Sequence, residues 1–127
     1  MSEAHAAVWI DHEQARIFAL SRDTASKWTV KPRGTHAHHH GGGGDHRDGN
    51  PLPDGHYFHS VADAIRSAGE VLIVGPGLAK HELMRHLSNH DPDVATKIVG
   101  VETMDHPSDG EIVKFARKYF RAADRMR

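Results

Sequence analysis

The chain has 127 residues, with 16 Lys and Arg against 17 Asp and Glu and a formal net charge of −1. That length fits one domain, residues 1–127, able to bury about two thirds of its unfolded surface. The charge balance excludes a general polyanion binder but leaves room for a local basic patch, and the absence of cysteine excludes disulfides, thiolate metal sites and a cysteine nucleophile.

The start, MSEAHAAVW, lacks the positive head and long apolar core of a signal peptide. No apolar run approaches a membrane span. The expected compartment is therefore the cytoplasm, with no membrane partner. Ala6–His12 and Gln14–Leu20 read as strands, joined by a compact turn at Asp11-His12-Glu13. Lys27–Lys31 reads as a third strand, with Trp28 and Val30 on one face. An antiparallel three-stranded meander is expected.

Pro32–Gly55 is different in kind. It runs to more than twenty residues with almost no apolar side chain, and it contains Gly41, Gly42, Gly43 and Gly44 in succession. Four adjacent glycines are costly to order without a ligand, so the loop is functional or mobile. Of the 13 histidines, five fall between His36 and His46. His36, His38, His39, His40 and His46 could give imidazoles to Zn²⁺ or Ni²⁺. Their spacing matches no structural zinc pattern, and a flexible tract can also bind metal adventitiously.

Order is expected again from His56. Phe58, Val61, Ala62 and Ile65 recur on one helical face that ends near Gly69. Val71–Val74 is a continuous apolar run closed by Gly75-Pro76-Gly77, the pattern of a strand buried on both faces. A helix follows from about Leu78 to His90, with Leu83, Met84 and Leu87 inward. A buried strand running into a helix is half of a βαβ unit and implies a partly parallel sheet. The turn is either a corner relieved by glycine or an anion-holding edge. Asp91-Pro92 breaks the helix. Lys97–Glu102 reads as a second central strand. Ser108 with Glu111 fits a capping box opening a last helix that buries Ile112, Phe115, Ala116, Tyr119 and Ala123.

The order β-β-β-α-β-α-β-α is that of an α/β, ribonuclease H-like fold. Its mixed five-stranded sheet would have three antiparallel strands, then two parallel ones, flanked by helices. Another doubly wound α/β sandwich is the alternative. A nuclease of this type needs carboxylates converging on metal ions. Asp11, Asp63 and Asp105 are the available acids, and the central strand ends in Gly75 rather than an acid. Asp11 therefore reads as a turn residue bonding nearby backbone.

The segments AVWIDHEQARIFAL, LIVGPGLAKHEL and KIVGVETMDHPSDGEIV resemble the middle domain of the archaeal and eukaryotic class-1 translation release factors and of Pelota. The chain is also similar to small stand-alone bacterial proteins of that superfamily, labelled translational machinery proteins. The motif residues are Asp11, Gly75, Pro76, Gly77, Lys80 and Glu82. The resemblance covers nearly the whole chain apart from the His/Gly loop. It implies a ribonuclease H-like fold and a ribosome or tRNA partner. Release factors carry a Gly-Gly-Gln tip on the equivalent loop, whose backbone helps water cleave peptidyl-tRNA. Here Gly41–Gly44 is followed by Asp45 and His46, and Gln14 is the chain's one glutamine. Pelota relatives also lack the tip and act in ribosome rescue without hydrolysis.

Two further patterns bear on function. Lys114, Lys118, Arg121 and Arg125, with Arg117 beside them, make a basic stripe on the last helix. It reads as an RNA-backbone surface or as an ordinary solvated face. Glu82, His86 and His90 recur every four residues, as a second metal site or, again, a solvated face. Three functions follow: a translation-associated factor that binds ribosome or tRNA, a peptidyl-tRNA hydrolase using Gly41–Gly44 and His46, or a metal-binding or protein-interaction module. Homo-oligomers are compatible with all three.

Overall fold

The structure, a computed structural model, describes residues 5–32 and 55–126. Its strands are β1 (His5–Ile10), β2 (Ala15–Leu20), β3 (Ala25–Val30), β4 (Glu70–Gly75) and β5 (Ile98–Thr103). Its helices are α1 (Gly55–Ile65), α2 (Ala79–His90), the single turn α3 (Pro92–Ala95) and α4 (Asp109–Met126). The strands form one sheet in the order β3-β2-β1-β4-β5. β1 pairs antiparallel with β2, and β2 with β3. β1 pairs parallel with β4, and β4 with β5. This is the expected ribonuclease H-like arrangement.

The period-two alternation of β1 divides the core in two. Ala6, Val8 and Ile10 face α1, α2 and α3 across one layer, together with Ile17, Val71 and Ile73. Ala7 and Trp9 face α4 across the other, with Phe18, Leu20, Leu72 and Val74. Val71–Val74 is buried on both faces, as its unbroken apolar run requires.

Three details differ from the sequence reading. β5 lies at the sheet edge and is only half-buried, so it is not a second central strand. Gly100 breaks its apolar run, and the Tyr119 ring occupies the space a side chain there would need. On α4, the deepest residues are Ile112, Ala116 and Phe120; Phe115, Tyr119 and Ala123 are half-buried. The burial axis is thus rotated toward Phe120, whose ring stacks on His5 at 4.1 Å. Finally, Asp91-Pro92 does not simply end α2 but opens α3, with Pro92 in its first turn.

The capping box is present. Glu111 N donates to Ser108 Oγ at 3.2 Å, and Ser108 N donates to Glu111 Oε1 at 2.8 Å. Among the described residues no helix is long and apolar enough to cross a membrane.

Candidate functional site

Parallel pairing of β1 with β4 brings their carboxyl ends side by side, and with them the motif residues Asp11 and Gly75. Asp11 Oδ1 accepts from the backbone N–H groups of Glu13 and Gln14 at 2.8 and 2.9 Å. Asp11 is thus a turn-forming residue, as expected. Its carbonyl accepts from the Tyr57 hydroxyl at 2.8 Å. Burial, then the Asp11 charge, pushes that phenol's pKa up. Gly75 has no room for a Cβ, which would overlap the Ile10 carbonyl oxygen. Lys80 is buried in the first turn of α2, and its Nζ donates to the Gly77 carbonyl at 2.6 Å. That bond ties the Gly-Pro-Gly turn to the helix. Leu78, next to it, is 66% exposed.

Around this edge stand His12, paired with Glu82 at 2.7 Å, and His106, which lies 2.9 Å from Asp105 and 3.8 Å from Asp11. Trp9 Nε1 donates to the Asp105 carbonyl at 2.8 Å and anchors the loop after β5. Among the described residues, metal-ligating atoms converge in only two groups, His59–His86–Asp91 and His5–Glu70–Asp124. Neither contains Asp11 or Asp105, so the nuclease arrangement is not assembled at this edge by the described residues.

The segment between β3 and α1 leaves and returns at the same edge. Val30 pairs with Ala15, which pairs with Ile10, and Tyr57 reaches Asp11 from the other side. Gly41–Gly44, His46 and the histidines His36, His38, His39 and His40 lie outside the described residues.

The basic stripe of α4 lies on the opposite layer from α1 and α2. Lys114, Lys118, Arg121 and Arg125 are exposed. Arg117 differs from them. It donates to the carbonyls of Ser21 and Thr24 at 2.7 and 3.0 Å, fastening α4 to the β2–β3 turn. An open groove of about 540 Å³ runs beside the helix. Phe18, Ala25 and Val113 line it together with Lys27, Lys114 and Arg117. Asp109 also borders it, pairing with Arg16 at 2.8 Å and Lys27 at 3.0 Å. The hydrogen bond from Lys27 leads in holding the Asp109 carboxyl below its usual range, with Arg16 adding to it against a desolvation cost.

The Glu82–His86–His90 set does not converge. Glu82 turns to His12, and His90 is exposed. His86 keeps a ring contact with His90 at 4.7 Å but also packs against Phe58 and faces Asp91. Burial, followed by the neighbouring His90 charge, lowers its pKa, so the neutral imidazole is favoured. Sequence spacing missed His59, Arg66 and Asp91 around it, because no local rule links α1 to the end of α2. The one signal was Asp91 itself, read only as a helix breaker.

No family model matches this chain, and no curated protein matches it in sequence. Solved structures do share its fold. Pelota from Archaeoglobus fulgidus aligns with a TM-score of 0.63 at 14% identity, over 91% of this chain and 31% of that one. Pelota from Thermoplasma acidophilum aligns at 0.62 and 20% identity, over 89% and 31%. The archaeal translation termination factor aRF1 aligns at 0.55 and 16% identity, over 97% and 39%. The expected resemblance is therefore present in three dimensions. The chain spans about a third of the length of these proteins.

Proposed function

We propose that this protein is a translation-associated factor that docks on ribosomal RNA or tRNA through the exposed face of α4. The observation that carries the reading is the exposed row Lys114, Lys118, Arg121 and Arg125 on a fold shared with a translation termination factor and two Pelota proteins. A rigid sheet backs the helix, and Arg117 fixes it against the β2–β3 turn. The cationic side chains are thereby presented as one row rather than as independent charges. Each phosphate they neutralise releases counterions, which makes binding entropically favourable and strongly salt-dependent.

The carboxyl edge is the second part of the proposed apparatus. It holds the Gly-Pro-Gly turn, exposed Leu78 and both ends of the His/Gly segment. In this reading, α4 positions the body on RNA, and the segment between β3 and α1, whose flanking residues Val30 and Tyr57 stand at the carboxyl edge, supplies the probe. A role in ribosome rescue, without hydrolysis, fits the missing glutamine.

Co-sedimentation with ribosomes over a series of salt concentrations tests the proposal. Binding that weakens steeply with salt is expected. No salt-sensitive binding to ribosomes or tRNA would defeat it and favour the metal-binding or protein-interaction reading. Cleavage of peptidyl-tRNA by the purified protein would replace it with the hydrolase reading.

A further inference from the structure

The geometry points to a divalent transition-metal site between α1 and α2, formed by His59, His86 and Asp91. The inference does not depend on a role in translation.

Asp91 is the pivot. It is 7% exposed, an unusual place for a carboxylate unless it is fully partnered. Its two oxygens are treated differently. Oδ1 accepts from Arg66 Nη2 at 3.0 Å. Oδ2 is buried and, among the described residues, has no hydrogen-bond partner. It faces His86 Nε2 at 3.7 Å and His59 Nδ1 at 4.0 Å. His86 Nε2 is buried and unpartnered among the same residues. Two polar atoms, each costly to leave unsatisfied, therefore point at one place without bonding to each other.

A cation would satisfy both. The ligand atoms of His59, His86 and Asp91 all lie within 4.8 Å of one another. Ligands on a tetrahedral Zn²⁺ at about 2.0–2.2 Å would be about 3.3 Å apart. The observed spacing reaches that with a small adjustment of His59, which is 55% exposed and whose Nε2 lies 3.5 Å from Asp63 Oδ2. Two imidazoles and one carboxylate suit Zn²⁺ and similar first-row ions better than Ca²⁺ or Mg²⁺, which take oxygen ligands.

The surroundings resemble the outer support that metal ligands need. Arg66 fixes the Asp91 carboxylate through Oδ1 and is itself held by Asp93 at 2.8 Å and Asp63 at 3.1 Å. Phe58 lies against the His86 ring at 5.7 Å. Asp63, Asp91 and Asp93 all pair with the guanidinium of Arg66, whose carbonyl accepts from the Lys97 ammonium. Three negative groups against two positive ones leave a net negative surrounding. The His90 ring lies 4.7 Å from that of His86.

The test must separate this site from the histidine loop. Full-length, tag-free protein is prepared with His36, His38, His39, His40 and His46 changed to serine and stripped with a chelator. Zn²⁺ is titrated by calorimetry, and binding is followed independently by the imidazole ¹⁵N signals of His59 and His86. One equivalent of Zn²⁺ is expected, with shifts confined to those rings. His59→Gln and His86→Gln should each weaken binding by about tenfold or more. His59 is exposed, so its variant keeps the fold and decides the matter alone if His86→Gln does not fold. Absence of binding in the loop-substituted protein, or binding unchanged by His59→Gln, would overturn the site.

Discussion

Gly75 and Ile10, at the carboxyl ends of neighbouring parallel strands, are packed backbone to backbone. A Cβ on Gly75 would run into the Ile10 carbonyl oxygen and lie 3.3 Å from its carbonyl carbon. The obstacle is main chain, so no side-chain rotation can relieve it. Gly77, two residues on, meets nothing within 4 Å and has a backbone open to any residue.

The two glycines should therefore respond differently to the same change. Gly75→Ala should destabilise the protein by about 1–3 kcal/mol through overpacking. Gly77→Ala should change stability by only about 0.5 kcal/mol or less. Urea unfolding midpoints measure both. Equal effects would mean that Ile10 can move aside.

The α4 stripe divides in the same way. Changing Lys114, Lys118 and Arg121 to glutamine should lower the salt slope of RNA binding by roughly one unit per lost phosphate contact. Stability should change by about 0.5 kcal/mol or less per site. Arg117→Gln loses two carbonyl partners and should cost on the order of 1 kcal/mol of stability. Changing His38, His39 and His40 to alanine should leave the slope nearly intact. RNA binding with an unaltered slope after the triple change would move the interface off α4.

Asp109 makes stability sensitive to acid. Its folded pKa is depressed, chiefly by Lys27 and then by Arg16. A carboxyl with a depressed folded pKa contributes stability above its unfolded value of about 3.9, and loses it as pH falls through the folded value. Carboxyl ¹³C titration should place Asp109 below the usual aspartate range, and Lys27→Met should move it back up. An unchanged midpoint in Lys27→Met would remove Lys27 as the cause.

Ser108 tests the start of α4. Its hydroxyl accepts from Glu111 N, and its own N–H is capped by the Glu111 carboxylate. Ser108→Ala should cost about 0.5–2 kcal/mol, and Ser108→Asp should recover most of it. Thermal unfolding of the two variants decides. No loss in Ser108→Ala would show that the loop from Met104 to Pro107 holds the helix start without the cap.

Local chemistry made several elements legible in the sequence. The apolar run Val71–Val74 required burial on both faces. Ser108 and Glu111 announced a helix start through groups three residues apart, and Asp11 its turn through amides two and three residues on. In each case the cause lies within a few residues of the effect. Where partners are distant in sequence, tertiary structure decided. Spacing put His86 in line with Glu82 and His90, but packing against Phe58 turned it toward Asp91. Arg117 looked like one more member of a solvated row until the β2–β3 turn came within its reach. Phe120 became the deepest aromatic of α4 because it joins the sheet-side cluster of Ala7, Leu20 and Leu72, and His5, at the far end of the chain, stacks on it. A helical period fixes which side chains share a face. It does not specify what stands opposite, and the pairing of His59, His86 and Asp91 exists only because the sheet holds α1 and α2 side by side.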